Sequence, residues 1–245
     1  WIPIATAIFL FLVPVQSDRL ARNMALAPSL LVLLLSWHVF RNAPPMGVDY
    51  AFTVQIEWVR DLGISYHLGV DRLNALLLLL TSLVGVAAIA VSSVEKNARY
   101  FYALGLLMIG GMAGAFASLD LFFLYIFHEF ALIPTFILIG IWGGEKRKLA
   151  AMKITLYLGL ASLVLLVGLL GLYAAMGGNT FDLVQMKQQV AAGAIISAEK
   201  QIALFGLLLL GFGTLVAAVP FHTWAPMGYG EAPPLAAMLH AGVIK

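Results

Sequence analysis

The sequence predicts an all-α protein, a polytopic transmembrane helix bundle whose seventh helix is discontinuous. Three observations lead there. Of 245 residues, 62% are hydrophobic and 11% charged, with a mean hydropathy of +0.97. A soluble domain carries about 25% charged and 45–50% apolar residues, so a water-soluble fold of this size could not hide so much apolar surface. The apolar residues also come in long runs such as LNALLLLLTSLVGVAAIAV, not in the alternation of a barrel strand. Finally, the seventh run leads into a segment crowded with proline and glycine.

Eight apolar runs follow in order, at 2–15, 25–40, 73–94, 100–118, 121–144, 150–176, 202–219 and 235–244. Spans of about 20 residues are the unit of a bilayer crossing. The chain begins at Trp1 without methionine and stops inside the eighth run, so the first and last runs are expected to be spans cut short. WIPIATAIFLFLVP has neither a charged leading region nor a cleavage site, which favours a span over a signal peptide. GLLMIGGMAGAFAS in the fourth run offers small residues for close helix packing. One transmembrane domain over 1–245 is expected, with no separate soluble unit.

The connections carry further expectations. DYAFTVQIEWVRDLGISYHLGVDRL mixes polar and β-branched residues and predicts a short extended hairpin. FDLVQMKQQVAAGAIISAEK places Leu183, Met186 and Val190 at helical spacing, as in a helix lying along the interface. Loops after the first, third and fifth runs hold Arg19, Arg22, Lys96, Arg99, Lys146, Arg147 and Lys148, with Lys153 just inside the sixth. The opposite loops hold Arg41, Arg60, Arg72, Lys187 and Lys200. Basic residues in short loops favour the cytoplasm, which puts Trp1 on the other side.

One side chain contradicts its surroundings. FLYIFHEFALIP sets Glu129 in an apolar run where His128 is the neighbouring base. A charged residue at mid-membrane costs about 2.5–3.5 kcal/mol on insertion scales. Desolvation disfavours the charged forms of carboxylate and ammonium alike, bringing both within reach of proton exchange near neutral pH. Pro134 cannot donate to the carbonyl of Phe130, and that freed carbonyl can hold water beside Glu129. The plainer alternative is that Glu129 pairs with a base and pins two helices together.

Lys153 and Lys245 are the other ionisable groups expected at membrane depth, although Lys153 can also snorkel to the surface from the EKRK cluster. His240 and Lys245 are five apart and do not share a helical face. His128 points about 100° away from Glu129. In AAVPFHTWAPMGYGEAPPLAAM, Pro220, Pro226, Pro233 and Pro234 forbid one continuous helix, and His222, Trp224 and Glu231 decorate the interruption. Broken backbone at membrane depth must be protein-buried or line a wet cavity; an ordinary surface loop is the alternative.

The soluble-enzyme constellations are absent. There is no cysteine, and the histidines at 38, 67, 128, 222 and 240 have no metal-ligand spacing. Thiolate metal sites and cysteine-ligated clusters are excluded, so redox chemistry belongs to other proteins. A net charge of +2 gives no argument for nucleic acid.

GISYHLGVDRLNALLLLLTSL, LDLFFLYIFHEFALIP and VPFHTWAP together resemble the M-type antiporter-like subunit, subunit 4, of proton-pumping NADH:quinone oxidoreductase, complex I. The resemblance covers nearly the whole chain and corresponds to the N-terminal half of a longer subunit with an antiporter-like fold. It implies that Glu129 is the fifth-helix glutamate, that Lys153 is the basic position opening the sixth helix, and that Lys245 is the eighth-helix lysine of a hydrated proton path. It also implies an energy-transducing membrane, a bacterial plasma membrane or organellar inner membrane. Lipid and other membrane-arm subunits would be the partners, with the peripheral redox arm reached indirectly. No cofactor is implied in this chain; FMN, iron–sulfur clusters and quinone would sit in partner subunits.

One departure stands out. The family's lysine five residues before the proline of PFH falls on Leu215, and no lysine lies between Lys200 and Lys245. Lys153, His128 and His240 are the candidates to replace it. The same motifs also suit a subunit of a multisubunit cation/proton antiporter or of a membrane-bound hydrogenase, and the lost lysine suits a scaffold that moves no ion.

Overall fold

The computed structural model describes residues 1–15, 17–47, 49–94 and 96–244, so Lys245 lies outside the described residues. Ten α-helices are found among them. They are α1 (Ile2–Leu12), α2 (Asp18–Asn42), α3 (Arg72–Val91), α4 (Ala98–Ala117), α5 (Leu121–Trp142), α6 (Arg147–Ala175), α7 (Leu183–Ala191), α8 (Ala198–Leu215), α9 (Ala225–Glu231) and α10 (Pro234–Leu239). Strands β1 (Ala51–Val59) and β2 (Ile64–Val70) pair antiparallel between α2 and α3, in the segment where the sequence predicts a hairpin. Six helices, α2 to α6 and α8, are long and apolar enough to cross a membrane. The runs at the two ends form the shorter apolar helices Ile2–Leu12 and Pro234–Ile244. The protein is a multi-pass membrane bundle.

Its connections gather at two poles. At one, Leu119 N–H donates to His67 O (2.8 Å) and Leu121 N–H to Phe181 O (3.0 Å), so the hairpin ties the α4–α5 and α6–α7 connections together. The Trp1 indole reaches the Tyr66 hydroxyl at 2.7 Å and brings the start of α1 to this hairpin pole. At the other, Arg99 reaches Val13 O, the Trp142 indole reaches Lys96 O, and Gly144 N–H reaches Glu231 O. Arg19, Arg22, Lys96, Arg99 and Lys146 to Lys148 all belong to this basic pole, so the predicted alternation of basic and mixed loops is geometric fact.

Helix starts at the hairpin pole are set by aspartates. Asp71 accepts from Asn74 N–H, Asp120 from Phe122 and Phe123 N–H, and Asp182 from Val184 and Gln185 N–H. Each satisfies donors that have no partner inside the helix. The hairpin turn needs its glycine twice over: Gly63 has φ 62°, and a Cβ there would fall 1.9 Å from Asn179 O. In α7, Met186 is buried and Leu183 partly so, while Val190 is exposed, a narrower apolar face than the spacing predicts.

Two apolar clusters fill the bundle. One joins α1, α2, α3, α4 and α10; the other is built around α6 with the segment after α8. Helix α5 belongs to both, giving Ala131 and Leu138 to the first and Leu132 and Ile139 to the second. It therefore stands as the wall between them, held close to α4 by the small residues the sequence offers. A Cβ on Gly111 would lie 2.7 Å from both Phe127 O and Ala131 N of α5. Backbone cannot yield as a side chain can. Gly111→Val is expected to force α4 and α5 apart at about 1–3 kcal/mol, the usual range for overpacking, read as a lowered unfolding midpoint in detergent. Gly206, with open space around its Cβ position, is the matched control.

Candidate functional site

Glu129 sits in the wall helix and turns toward α6. Its Oε1 accepts a hydrogen bond from the Ser162 hydroxyl, which also lies 3.0 Å from the Tyr125 hydroxyl. Tyr125 and Glu129 are four apart and share one face of α5, and Ser162 is near the middle of α6. His128 reaches the same carboxylate oxygen after all: its Nδ1 is 3.6 Å from Oε1, with no hydrogen-bond partner of its own. The Glu129 side chain keeps 24% of its surface accessible. The carboxylate is anchored but not sealed.

The interruption after α8 lies alongside, at membrane depth. Helix α8 ends in a C-cap turn in which Ala217 adopts φ 55°, with Ala217 N–H donating to Thr214 O and Ala218 N–H to Gly213 O. That bonding pattern normally has glycine at the left-handed position, so the sequence gives no cue to it. A cis Val219–Pro220 bond and a short 3₁₀ turn, Phe221–Trp224, lead into α9, which carries Pro226 in its first turn. Gly211 packs on Leu165, Thr223 bonds to Tyr157, and Gly228 meets Ile154. Tyr157 is about 15 Å along α6 from Arg147 at 1.5 Å per residue, which sets aside the surface-loop alternative.

Two side chains bond to carbonyls at this interruption, Thr214 O (which also accepts from Ala217 N–H) and Thr223 O. Trp224, fully buried, donates its indole N–H to Thr214 O at 3.0 Å. Lys153 Nζ donates to Thr223 O at 2.6 Å. Lys153 thus points into the break and does not snorkel. It forms no ion pair with Glu129, whose partner Ser162 is about 13 Å further along the same helix. His240 opens the π-helical turn His240–Ile244 after α10, with Nδ1 3.0 Å from the Tyr229 hydroxyl and its ring edge-on to Trp224. Leu215, the position of the absent lysine, is 5% exposed and packed in the α6 cluster.

Other predicted residues lie apart. Pro220 and Pro226 frame the break, but His222 is exposed beside it. Glu231 is not in the break: it closes α9 at the basic pole, where its Oε2 accepts from Lys146 N–H at 2.9 Å. The lysine expected at 245 lies outside the described residues.

A buried ionisable cluster at the hairpin pole was not singled out from sequence. His67 Nδ1 lies 2.6 Å from Asp182 Oδ2, which Gln55 also reaches. Asp120 is fully buried and accepts from Ser65 N–H at 3.0 Å. Burial pushes the Asp120 carboxyl above its usual range, against the pull of the Ser65, Phe123 and Phe122 amides, with the Asp182 charge adding to the rise. A raised carboxyl binds its proton more tightly folded than unfolded. Its contribution to stability is therefore full below the usual carboxylate range and falls as pH rises through the raised value. The available cue was an Asp directly before the first residue of each of three helices, Asp71, Asp120 and Asp182.

Residues 118–245, which include Glu129, Ser162 and the whole break, match the family described as NADH:quinone oxidoreductase/Mrp antiporter, TM. The chain belongs to this family. It is 34% identical to NAD(P)H-quinone oxidoreductase chain 4-2 of Synechocystis sp., over 99% of this chain and 43% of the relative. It is also 34% identical to chain 4 3 of Picosynechococcus sp., over 99% of this chain and 44% of that one. Among solved structures it is similar to a chain of respiratory complex I from Thermus thermophilus, with TM-score 0.84, 29% identity, and 98% and 48% of the two chains covered. A chain of the Mrp complex from Dietzia sp. gives TM-score 0.79 and 25% identity, covering 96% and 43%. The chain spans less than half the length of the curated relatives it matches.

For this family member, the Lys153 contact makes a direct stability prediction. Lys153→Met keeps the aliphatic stem and leaves the Thr223 carbonyl without its donor, at an expected cost of about 1–3 kcal/mol. Hydrogen exchange should quicken locally in 221–231 while α4 and α5 keep their protection.

Proposed function

We propose that this chain is part of the proton-translocating membrane arm of a complex I-type NAD(P)H:quinone oxidoreductase and that Glu129 is its proton carrier. The observation that carries the reading is a carboxylate held by Ser162 in the middle of a membrane bundle, partly accessible and level with a broken helix. Intramembrane carboxylates mark ion pathways by default, and discontinuous helices place polar backbone where ions or protons must pass. The names of the curated relatives support the oxidoreductase over the antiporter alternative. On this reading the chain is a subunit of an enzyme and performs no redox chemistry itself. FMN, iron–sulfur clusters and quinone belong to partner subunits. The protein sits in an energy-transducing membrane, with its basic pole toward the cytoplasm, and meets lipid and neighbouring membrane-arm subunits.

The 1–245 segment acts as one transmembrane unit of a longer subunit, with Lys153 holding the break open and Lys245 expected further along the path. Glu129→Gln in the assembled enzyme should leave electron transfer to quinone measurable while lowering the protons moved per electron pair. An unchanged proton stoichiometry at normal assembly rejects Glu129 as the carrier.

Buried, apolar Leu215 favours a second reading, a scaffold that spans the arm without moving protons. Under it, Glu129→Gln changes assembly or stability only, and the stoichiometry stays that of the parent enzyme.

A further inference from the structure

Several hydroxyl groups within the long helices share a habit that Ser162 does not follow. Ser29, Thr81, Thr135, Thr155 and Thr214 each return their hydroxyl to the carbonyl four residues earlier in the same helix. That bond satisfies a buried hydroxyl locally and requires nothing of a neighbour. Ser162 is 3% exposed and equally able to do this, yet its hydroxyl crosses to α5 and meets both Tyr125 and Glu129.

A hydroxyl has one proton to give and lone pairs to receive with. An ionised Glu129 can only accept, so Ser162 donates to Oε1, and the Tyr125 O–H, 3.0 Å away, donates to Ser162 Oγ. The three groups form one hydrogen-bonded set, in which Tyr125 meets Ser162 and also reaches the Glu129 carboxylate itself. Tyr125 lies one turn nearer the hairpin pole than Glu129, about 6 Å along the axis.

We propose that Tyr125 and Ser162 form a two-hydroxyl relay through which Glu129 takes up and releases its proton on the hairpin-pole side; this rests on Glu129 being a proton carrier. For uptake, a hydronium ion at the Tyr125 oxygen gives up a proton and becomes water. The Tyr125 proton passes to Ser162 Oγ, and the Ser162 proton passes to Glu129 Oε1. The carboxylate becomes the acid, and both hydroxyls end neutral with their O–H bonds reversed. Release runs the same transfers backwards. His128 also faces Glu129, with its Nδ1 3.6 Å from the same oxygen. The ionisable residues of α4 (Arg99, Tyr100, Tyr102) lie in its first turns at the basic pole, and those of α8 (Glu199, Lys200) at the hairpin end. Lys153 and Tyr157 of α6 are engaged at the break, with Thr223.

The test uses the whole assembled enzyme in sealed vesicles, comparing redox turnover with the initial rate of proton movement across a range of pH. Tyr125→Phe removes one oxygen and keeps the ring; Ser162→Ala removes the other; Ser162→Thr keeps a hydroxyl. Each removal should slow proton movement at least about tenfold, the scale expected when a positioned proton-transfer group is lost, and shift the pH at which the rate is half-maximal. Ser162→Thr should restore most of the rate, and the double variant should be no faster than either single one. If Glu129→Gln stops proton movement while Tyr125→Phe and Ser162→Ala keep the parent rate and pH profile, the relay is wrong and the carrier stands. If Glu129→Gln itself leaves proton movement intact, the carrier and the relay fall together.

Discussion

A helix that stops inside a membrane must satisfy its own carbonyls without bulk water, and the organisation around the break follows from that constraint. Helix α8 ends at Leu215, in the middle of the bundle. Its Thr214 carbonyl is taken by the Trp224 indole and the Thr223 carbonyl by Lys153. Trp224 must fold back over the end of α8 to make that bond, which brings Tyr229 and His240 around it as an aromatic cluster. Lys153 must stay within reach of the break, which fixes the height of α6 and therefore the height of Ser162. The position of the carboxylate's hydrogen-bond donor is in this sense inherited from the broken helix.

The hairpin pole solves a related problem with different chemistry. Three of the helices that begin there, α3, α5 and α7, bring amide donors that are met by an aspartate at the N-cap. These aspartates are then buried by the hairpin that lies across them. Asp120 and Asp182 both use one oxygen for their own helix and the other for the hairpin. The cap and the inter-element tie are one device. It fixes the start of α5, and with it the register that presents Tyr125 and Glu129 to α6.

Much of this was legible in the sequence, and the parts that were not share a cause. The spans, the hairpin, the broken helix and Glu129 each announce themselves through composition or through a residue that breaks its context. Ser162 does not, because a serine in an apolar helix reads like any hydroxyl that bonds its own backbone. Its departure from that habit exists only once α5 and α6 are packed. Lys153 was legible as an ionisable group but not in its target, since snorkelling and reaching inward use the same side chain. Glu231 was misplaced because sequence counts residues from the prolines and does not measure depth: α9 carries it a further turn and a half to the basic pole. Ala217 gave no cue at all, as an alanine in a left-handed cap looks like any other alanine.

The apolar residue at 215 changes what kind of control the carboxylate can be under. A lysine there would be a strongly basic partner, and a nearby positive charge favours the ionised carboxylate. Leucine supplies no charge, and Lys153 is committed to Thr223. Among the described residues, the basic side chain that reaches Glu129 is His128, whose Nδ1 lies 3.6 Å from Oε1. Ser162 and Tyr125 add neutral hydroxyls beside the carboxylate, one from α6 and one from α5. Glu129 is therefore held by neutral hydroxyls and a neighbouring imidazole, where the family's usual partner would be a lysine. With leucine at 215 and Lys153 turned to the break, the carboxylate is held in place by hydrogen bonding across the α5–α6 seam and not by an ion pair with a lysine.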